Sequence, residues 1–280
     1  MQRFSLNIKG RAVEYTRPAV MAIVNVTPDS FHPASRTFSD SEIAARVQSV
    51  VSEGADMIDV GAYSSRPGAS DVPLEEELSR LERALPIIRS IAGDRIPVSV
   101  DTFRAPVAAR AVGEWGADII NDISGGSLDQ VMFETVAELR CPYILMHMRG
   151  TPADMQEHTD YPSGVTADVL AELGDKLSTL ALMGVSDVII DPGFGFSKTL
   201  GQNYELMRDL KTFRLLHRPV LVGISRKSMI TRLLNITSEQ ALEATTALNS
   251  FALDRDADIL RVHDVRAARH AVDVYMAMKS

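Results

Sequence analysis

Cysteine is nearly missing from this chain: Cys141 is the only one in 280 residues. An intrachain disulfide framework is therefore excluded, and a zinc site built on closely spaced Cys and His ligands is disfavoured. A lone cysteine suits a reducing compartment. Cys141 also precedes Pro142 at the start of an expected strand, the wrong end of a barrel for a nucleophile. Long apolar runs are missing too. No stretch approaches the roughly 18 residues of a membrane span, and the opening MQRFSLNIKGR has no apolar signal segment. The expectation is a cytosolic protein with no membrane partner. Positive charge is in deficit, with 29 Lys and Arg against 37 Asp and Glu and a formal net charge of −8. Nucleic acid and anionic membrane surfaces select a basic face, so neither is expected as the main partner. There is no low-complexity tract, no short-period repeat and no GxxxxGK[ST] phosphate loop. Gly193-Phe194-Gly195 lacks the third glycine and the following helix of a dinucleotide fingerprint.

What is present is an alternation. Short apolar, β-branched runs predict strands at Val20–Val24, Met57–Val60, Val98–Val100, Ile119–Ile120, Ile144–Met146, Val188–Ile190, Val220–Val222 and Ile259–Leu260. Without polar alternation, such runs suit parallel strands buried on both faces. Helical patterns separate them, at Ser41–Ser52, Leu74–Ile91, Pro106–Trp115, Asp129–Leu139, Ala167–Met183, Tyr204–Leu210, Ser238–Asp254 and Ala267–Met278. Asp40 reads as an N-cap, and Gly54, Gly116 and Gly184 fall where helices should end. Phe4–Ile8 and Ala12–Tyr15, around Lys9-Gly10, read as a β-hairpin. Eight strands alternating with eight helices predict an α/β fold, a (β/α)8 TIM barrel over residues 1–280 as one domain, with the hairpin plugging the barrel bottom. A doubly wound open sheet is the alternative. Two connections, Thr27–Ser39 and Gly61–Pro73, are longer than the usual 2–6 residues and rich in Pro, Ser, Gly and Arg.

Polar residues track the strand ends. Asn25, Asp59, Asp101, Asn121-Asp122, His147, Asp191, Ser225-Arg226-Lys227, Arg261 and His263 all fall at or just past an expected strand. In a barrel these C-terminal ends converge on one pocket. Bland readings stand beside this one. Asp59 and Asp122 suit caps or buried hydrogen bonds, and Asp101 could be a helix cap. His147, between two methionines, reads as a satisfied core residue. Asp191 precedes the turn Pro192-Gly193-Phe194-Gly195-Phe196, which favours a functional carboxylate. An anion site would rest on Asn25, Arg261, His263 and backbone amides.

Eight segments carry a resemblance: NVTPDSF at 25–31, SSRPGA at 64–69, SVDT at 99–102, INDISGG at 120–126, LMHMRGTPADMQ at 145–156, DPGFGFSK at 191–198, VGISRKSMI at 222–230 and RVHDV at 261–265. In this order, and over almost the whole chain, they resemble the dihydropteroate synthase family of folate biosynthesis. The resemblance implies condensation of 6-hydroxymethyl-7,8-dihydropterin diphosphate with p-aminobenzoate to give 7,8-dihydropteroate and pyrophosphate, by a dissociative route, with Mg2+ as cofactor. It also implies a cytoplasmic homodimer and a sulfonamide target. Carried over residue by residue, it implies pterin contacts from Asp101, Asn121, Met146, Asp191, Phe196, Gly223 and Lys227. Diphosphate contacts fall to Asn25, Ser65, Arg261 and His263, with Asn25 also on the metal. The p-aminobenzoate contacts fall to Phe31, Arg66, Pro67, Phe196, Lys227 and Ser228. Asp101, Lys227, Arg66 and Phe31 are the implied catalytic residues.

This chain departs from the family pattern in the two long connections. Pro33 stands where an Asp is usual, Tyr63 where a Glu is usual, and Ser65 where a Thr is usual. Three other readings remain: a pterin-dependent methyltransferase domain, a non-catalytic pterin-binding homologue, and a Schiff-base aldolase using Lys227.

Overall fold

The computed structural model describes residues 4–27, 39–63 and 72–279. Two strands, β1 (Phe4–Ile8) and β2 (Arg11–Tyr15), form an antiparallel hairpin. Its two-residue turn puts both Lys9 (φ 50°) and Gly10 (φ 81°) at positive φ, the type I′ geometry that matches strand twist.

The main sheet has eight parallel strands: β3 (Ala19–Asn25), β4 (Met57–Gly61), β5 (Val98–Asp101), β6 (Ile119–Asp122), β7 (Tyr143–Met146), β8 (Val188–Asp191), β9 (Leu221–Val222) and β10 (Ile259–Val262). The order β8-β7-β6-β5-β4-β3-β10-β9 wraps round until Ile190 bridges Val220, and Ile190 N–H donates to Pro219 O at 2.9 Å. That bridge brings the two ends of the sheet together as a barrel and rejects the open-sheet alternative.

Helices lie outside: α1 (Asp40–Ser52), α2 (Leu74–Ala92), α3 (Ala105–Gly113), α4 (Met132–Leu139), α5 (Val165–Leu182), α6 (Leu200–Arg208), α7 (Ser228–Leu234), α8 (Leu242–Asp254) and α9 (Val265–Lys279). Short 3-10 turns at Met155–Glu157 and Leu210–Leu216 complete the connections. The N-cap of α1 is Ser39, not Asp40. Ser39 and Glu42 form a reciprocal capping box, which satisfies two backbone donors at once. Helix α7 was not expected, because SMITRLL is too short to show a periodicity. Gly54, Gly116 and Gly184 all sit at positive φ just past helix ends, as expected.

Strand side chains alternate with period two, and that period builds the interior. Ile58, Val60, Val98, Val100, Ile120, Leu145 and Ile190 face outward to the helices. Met21, Met57, Ile119, Ile144, Ile189, Leu221 and Ile259 face inward and pack with Leu6 and Ile8 of the hairpin. The hairpin therefore closes the barrel bottom with apolar side chains. Two residues further along six of these seven strands, the inward positions become Asp59, Asn121, Met146, Asp191, Gly223 and Arg261, while β3 continues with apolar Ile23. The polar site is thus the layer above an apolar plug.

Candidate active site

The centre of this layer is an ion-pair network. Arg261 on β10 donates from Nε to Asp59 Oδ2 at 2.6 Å and from an Nη to Asp101 Oδ2 at 2.6 Å. Asn121 Nδ2 donates to the same Asp59 oxygen at 3.0 Å. Asp59 is fully buried, and its Oδ1 has no partner among the described residues. Burial pushes the Asp101 carboxyl up to about 7, while Arg261 pulls it the other way. Burial also works against the Arg261 charge, but Asp59 and Asp101 outweigh it and raise the guanidinium further. Asp59, which could have been a bland buried carboxylate, is the hub that orients two of the expected site residues. Asp122 is structural: its oxygens accept from Ser124, Gly126 and Tyr143.

A second group lies across the barrel mouth. Asp191 ends β8 and accepts from Gly193 N–H through Oδ1 at 2.8 Å, while its Oδ2 lies on the side of Gly223. Burial raises its carboxyl, and Lys227 opposes that shift. Lys227 donates to Phe194 O at 2.6 Å, and its ammonium lies 4.5 Å from the centre of the Phe196 ring. Burial brings Lys227 down to about 8, with Asp191 opposing. Gly223 lies between these groups. A Cβ there would stand 3.7 Å from Asp191 Oδ2 and 3.9 Å from Lys227 Nζ. Met146 and Phe196 join Ile123, Met148 and Met155 in an apolar cluster at the same mouth, with Phe103 and Leu128 at its edge. The arrangement offers one flat, apolar wall beside buried hydrogen-bonding groups, as a planar polar heterocycle requires.

The third group is suited to an anion. Asn25 ends β3, and its Oδ1 packs 3.0 Å from where a Gly61 side chain would begin. His263 lies just past β10 with Nδ1 3.0 Å from Ser225 Oγ. Burial lowers His263 to about 4, with Arg261 acting in the same direction, so the imidazole is neutral at pH 7. Ser228 is the exposed first residue of α7. Phe31, Pro33, Ser65, Arg66 and Pro67 lie outside the described residues. Tyr63 is described: its ring meets Phe103 edge-on at 5.0 Å, and Arg104 stacks on it at 5.3 Å. Arg104 in turn pairs with buried Glu77, which also accepts from Thr102 Oγ1 at 2.8 Å.

One cluster had no counterpart in the expectations. Behind the 192–197 loop, Lys198, His147, Glu172 and Arg149 form a chain of hydrogen bonds. His147 is indeed a satisfied buried residue, but it is satisfied by charged partners.

The family model for pterin binding enzymes matches residues 21–263. The chain belongs to the pterin-binding enzymes. It is 42% identical over 254 residues to the dihydropteroate synthase of Clostridium beijerinckii, covering 89% of this chain and 90% of that protein. To the Escherichia coli K12 dihydropteroate synthase it is 38% identical over 275 residues, covering 97% and 95%. It spans only 54% and 49% of two Arabidopsis thaliana folate synthesis bifunctional proteins, at 39% and 40% identity. Among solved structures, the Yersinia pestis dihydropteroate synthase in a sulfonamide drug complex superposes with a TM-score of 0.89 at 34% identity over 99% of both chains. The Xanthomonas albilineans enzyme in complex with 7,8-dihydropteroate gives 0.86 at 35% identity over 99% of both chains. The likeness extends over the barrel, the hairpin and every strand end that carries the site.

Among the described residues no group of three His, Cys, Asp or Glu side chains could hold a metal ion, and no helix is long and apolar enough to cross a membrane.

Proposed function

We propose that this pterin-binding enzyme is a dihydropteroate synthase. It joins 6-hydroxymethyl-7,8-dihydropterin diphosphate to p-aminobenzoate and releases pyrophosphate. The observation that carries this reading is Asp191: a buried carboxylate with one oxygen held by its own loop and the other on the Gly223 side, where Lys227 Nζ also lies. The pyrimidine edge of a pterin presents an N–H beside an NH2, and a carboxylate accepts that pair as it accepts a guanidinium. Asn121 and Asp101 meet the remaining ring polar atoms. Lys227 serves the ring acceptors and borders the p-aminobenzoate site, and Met146 and Phe196 cover the ring faces. Leaving any buried donor of the ring unpaired would cost about 1–3 kcal/mol, so these contacts also set specificity.

The reaction breaks the CH2–O bond to diphosphate and forms a CH2–N bond to the amine, which then loses a proton. The dissociative route delocalises positive charge into the pterin while negative charge grows on the leaving group. Arg261, His263, Asn25 and Ser65 receive the anion; Asp101 faces the cation. His263 acts as a neutral donor. The amine is already neutral at pH 7, so its attack requires no strong base. Phe31, Arg66, Pro67 and Ser228 complete the p-aminobenzoate site and meet its carboxylate.

The donors fit Mg2+ as a substrate-borne ion. Mg2+ commonly takes one or two protein ligands and completes its shell with water and substrate phosphates. Asn25, with a side-chain carbonyl oxygen at the strand end, would supply the protein contact. The ion would neutralise the diphosphate as it leaves.

The protein acts as a cytoplasmic homodimer in this reading. The late helices present exposed apolar side chains, namely Leu233 and Leu234 on α7, Phe251 on α8, and Val274 and Met278 on α9. Sedimentation at the mass of one chain would dismiss the dimer. A coupled assay with the pterin diphosphate, Mg2+ and p-aminobenzoate tests the activity. Stoichiometric pyrophosphate and 7,8-dihydropteroate are expected. Methyl transfer from a methylated tetrahydrofolate without pyrophosphate release would replace the synthase reading.

A further inference from the structure

The loop after β8 is gripped from both sides by lysines. On the cavity side, Lys227 holds Phe194 O and lies over the Phe196 ring. On the far side, Lys198 is 3% exposed and donates to Gly193 O at 3.0 Å, Phe196 O at 3.0 Å and His147 Nδ1 at 3.1 Å. Three acceptors surround Nζ, which matches the three N–H bonds of an ammonium and works against the burial that brings the group down to about 7.

His147 fixes the polarity of this chain. Burial lowers it to about 4, with Lys198 acting in the same direction, so it is neutral at pH 7. Its Nδ1 accepts from Lys198, so its proton is on Nε2 and points to Glu172 Oε2 at 2.9 Å. Glu172 is anchored in turn by Arg149, and Arg149 lies 4.1 Å over the Tyr161 ring. Tyr161 returns to the loop by donating to Ser197 O at 2.9 Å. Close packing makes the loop unforgiving: a Cβ on Gly193 would stand 1.9 Å from His147 O.

The consequence is an alternation of carbonyls. Those of Gly193 and Phe196 point to Lys198, while that of Phe194 points to Lys227. Gly193 and Phe194 carry neighbouring carbonyls, so the Lys198 contact at Gly193 O and the Lys227 contact at Phe194 O restrain the same stretch of backbone. We infer that Lys198, backed by His147 and Glu172, is a positioning residue that sets Lys227 and the Phe196 ring for pterin, without touching the ligand itself. This rests on the pterin-binding reading of the Asp191 pocket, but not on turnover.

A double-mutant cycle tests it. Calorimetry gives the Kd of 6-hydroxymethylpterin for the parent, Lys198→Met, Lys227→Met and the double variant. Each single change should weaken binding about tenfold, and the double variant should be no more than about twofold worse than Lys227→Met alone. Multiplicative effects, or parental affinity in Lys198→Met, would overturn the inference. Lys198→Gln retains two N–H donors and should recover part of the affinity; if Lys198→Met does not fold, the cycle is run with Lys198→Gln, whose smaller loss should disappear in the Lys227→Met background, and a loss that persists there overturns the inference. If the parent does not bind the pterin, the functional reading fails. The crystal structure of the Lys198 variant then decides the clamp: a Phe194 carbonyl turned from Lys227 supports it, and an unmoved one refutes it.

Discussion

Arg261 and Asp59 are joined at 2.6 Å across the barrel interior, from strands β10 and β4 that flank β3 on either side. The pair does two things at once. It neutralises a guanidinium in a buried layer, and it holds that guanidinium in place before any anion arrives. Because Asp59 also receives Asn121, one carboxylate aligns a cationic group and an amide. Asp59→Asn should therefore reduce both stability and ligand affinity. Removing one partner of a buried ion pair costs about 3–5 kcal/mol. The lower end is expected here, since Asp101 stays with Arg261. Urea denaturation and pterin diphosphate calorimetry check both parts; parental values in both would deny Asp59 its role.

Asp191→Asn should separate the ligands. Asparagine can still accept from Gly193 N–H, but it then turns an NH2 toward the pterin donors. Pterin affinity is expected to fall tenfold or more, about 1.5–3 kcal/mol for lost hydrogen bonds to a charged group, with pyrophosphate binding little changed. Calorimetry with each ligand measures the difference, and equal losses would count against the assignment.

Two glycines should respond oppositely to alanine. At Gly223 the nearest atoms to a Cβ are at ordinary contact distances, the closest 3.7 Å away. Gly223→Ala should fold with a Tm close to the parent and bind pterin poorly, because the methyl fills the pocket floor. At Gly193 a Cβ would fall 1.9 Å from His147 O with φ at +74°. Gly193→Ala should fail to accumulate as folded protein. A Gly223→Ala variant with parental pterin affinity would move the ligand elsewhere.

Acid should destabilise the fold in two steps. His147 has an ordinary value of 6.5 and is lowered by burial to about 4 in the fold. The unfolded chain therefore takes up the proton first, and stability is lost as pH falls from 6.5 to 4. The loss approaches about 3 kcal/mol, the free-energy equivalent of the drop from 6.5 to about 4. Burial works against the Glu172 carboxylate, but His147 and Arg149 overcome it and hold it at about 2. Its contribution is present above its ordinary value of 4.5 and lost below. Denaturation curves at pH 7, 5.5 and 4.5 for the parent and His147→Gln check the first step. Equal slopes for both proteins would rule out His147 as its source.

The barrel and most of its mouth were legible because two signals coincide in several of the short strands. Apolar β-branched residues mark the buried stretch, and a polar residue two positions past an inward apolar one marks the rise into the site. Ile189 with Asp191, Ile119 with Asn121 and Ile259 with Arg261 are three such pairs. Asp59 was harder to read, since it sits inside its strand and a buried carboxylate has many structural uses. Only its distances to Arg261 and Asn121 separate the cases. The Lys198 chain was not legible at all. Glu172 comes from the middle of α5 and Lys198 from the far side of a loop, and no local pattern announces that they share His147. Helix α7 escaped because seven residues give less than two full turns to compare.

The barrel is a ring with a seam. β9 contributes two residues to its ladder with β10, and a single bridge from Ile190 to Val220 joins it to β8. Amide hydrogens along β8 and β9 should exchange with solvent sooner than those of the long β3–β4 ladder, because opening the ring here breaks the fewest bonds. The seam runs directly beneath Asp191 on one side and Gly223 on the other. A molecule resting on both would act as a staple, and its arrival should be visible as slowed exchange on the two strands it spans.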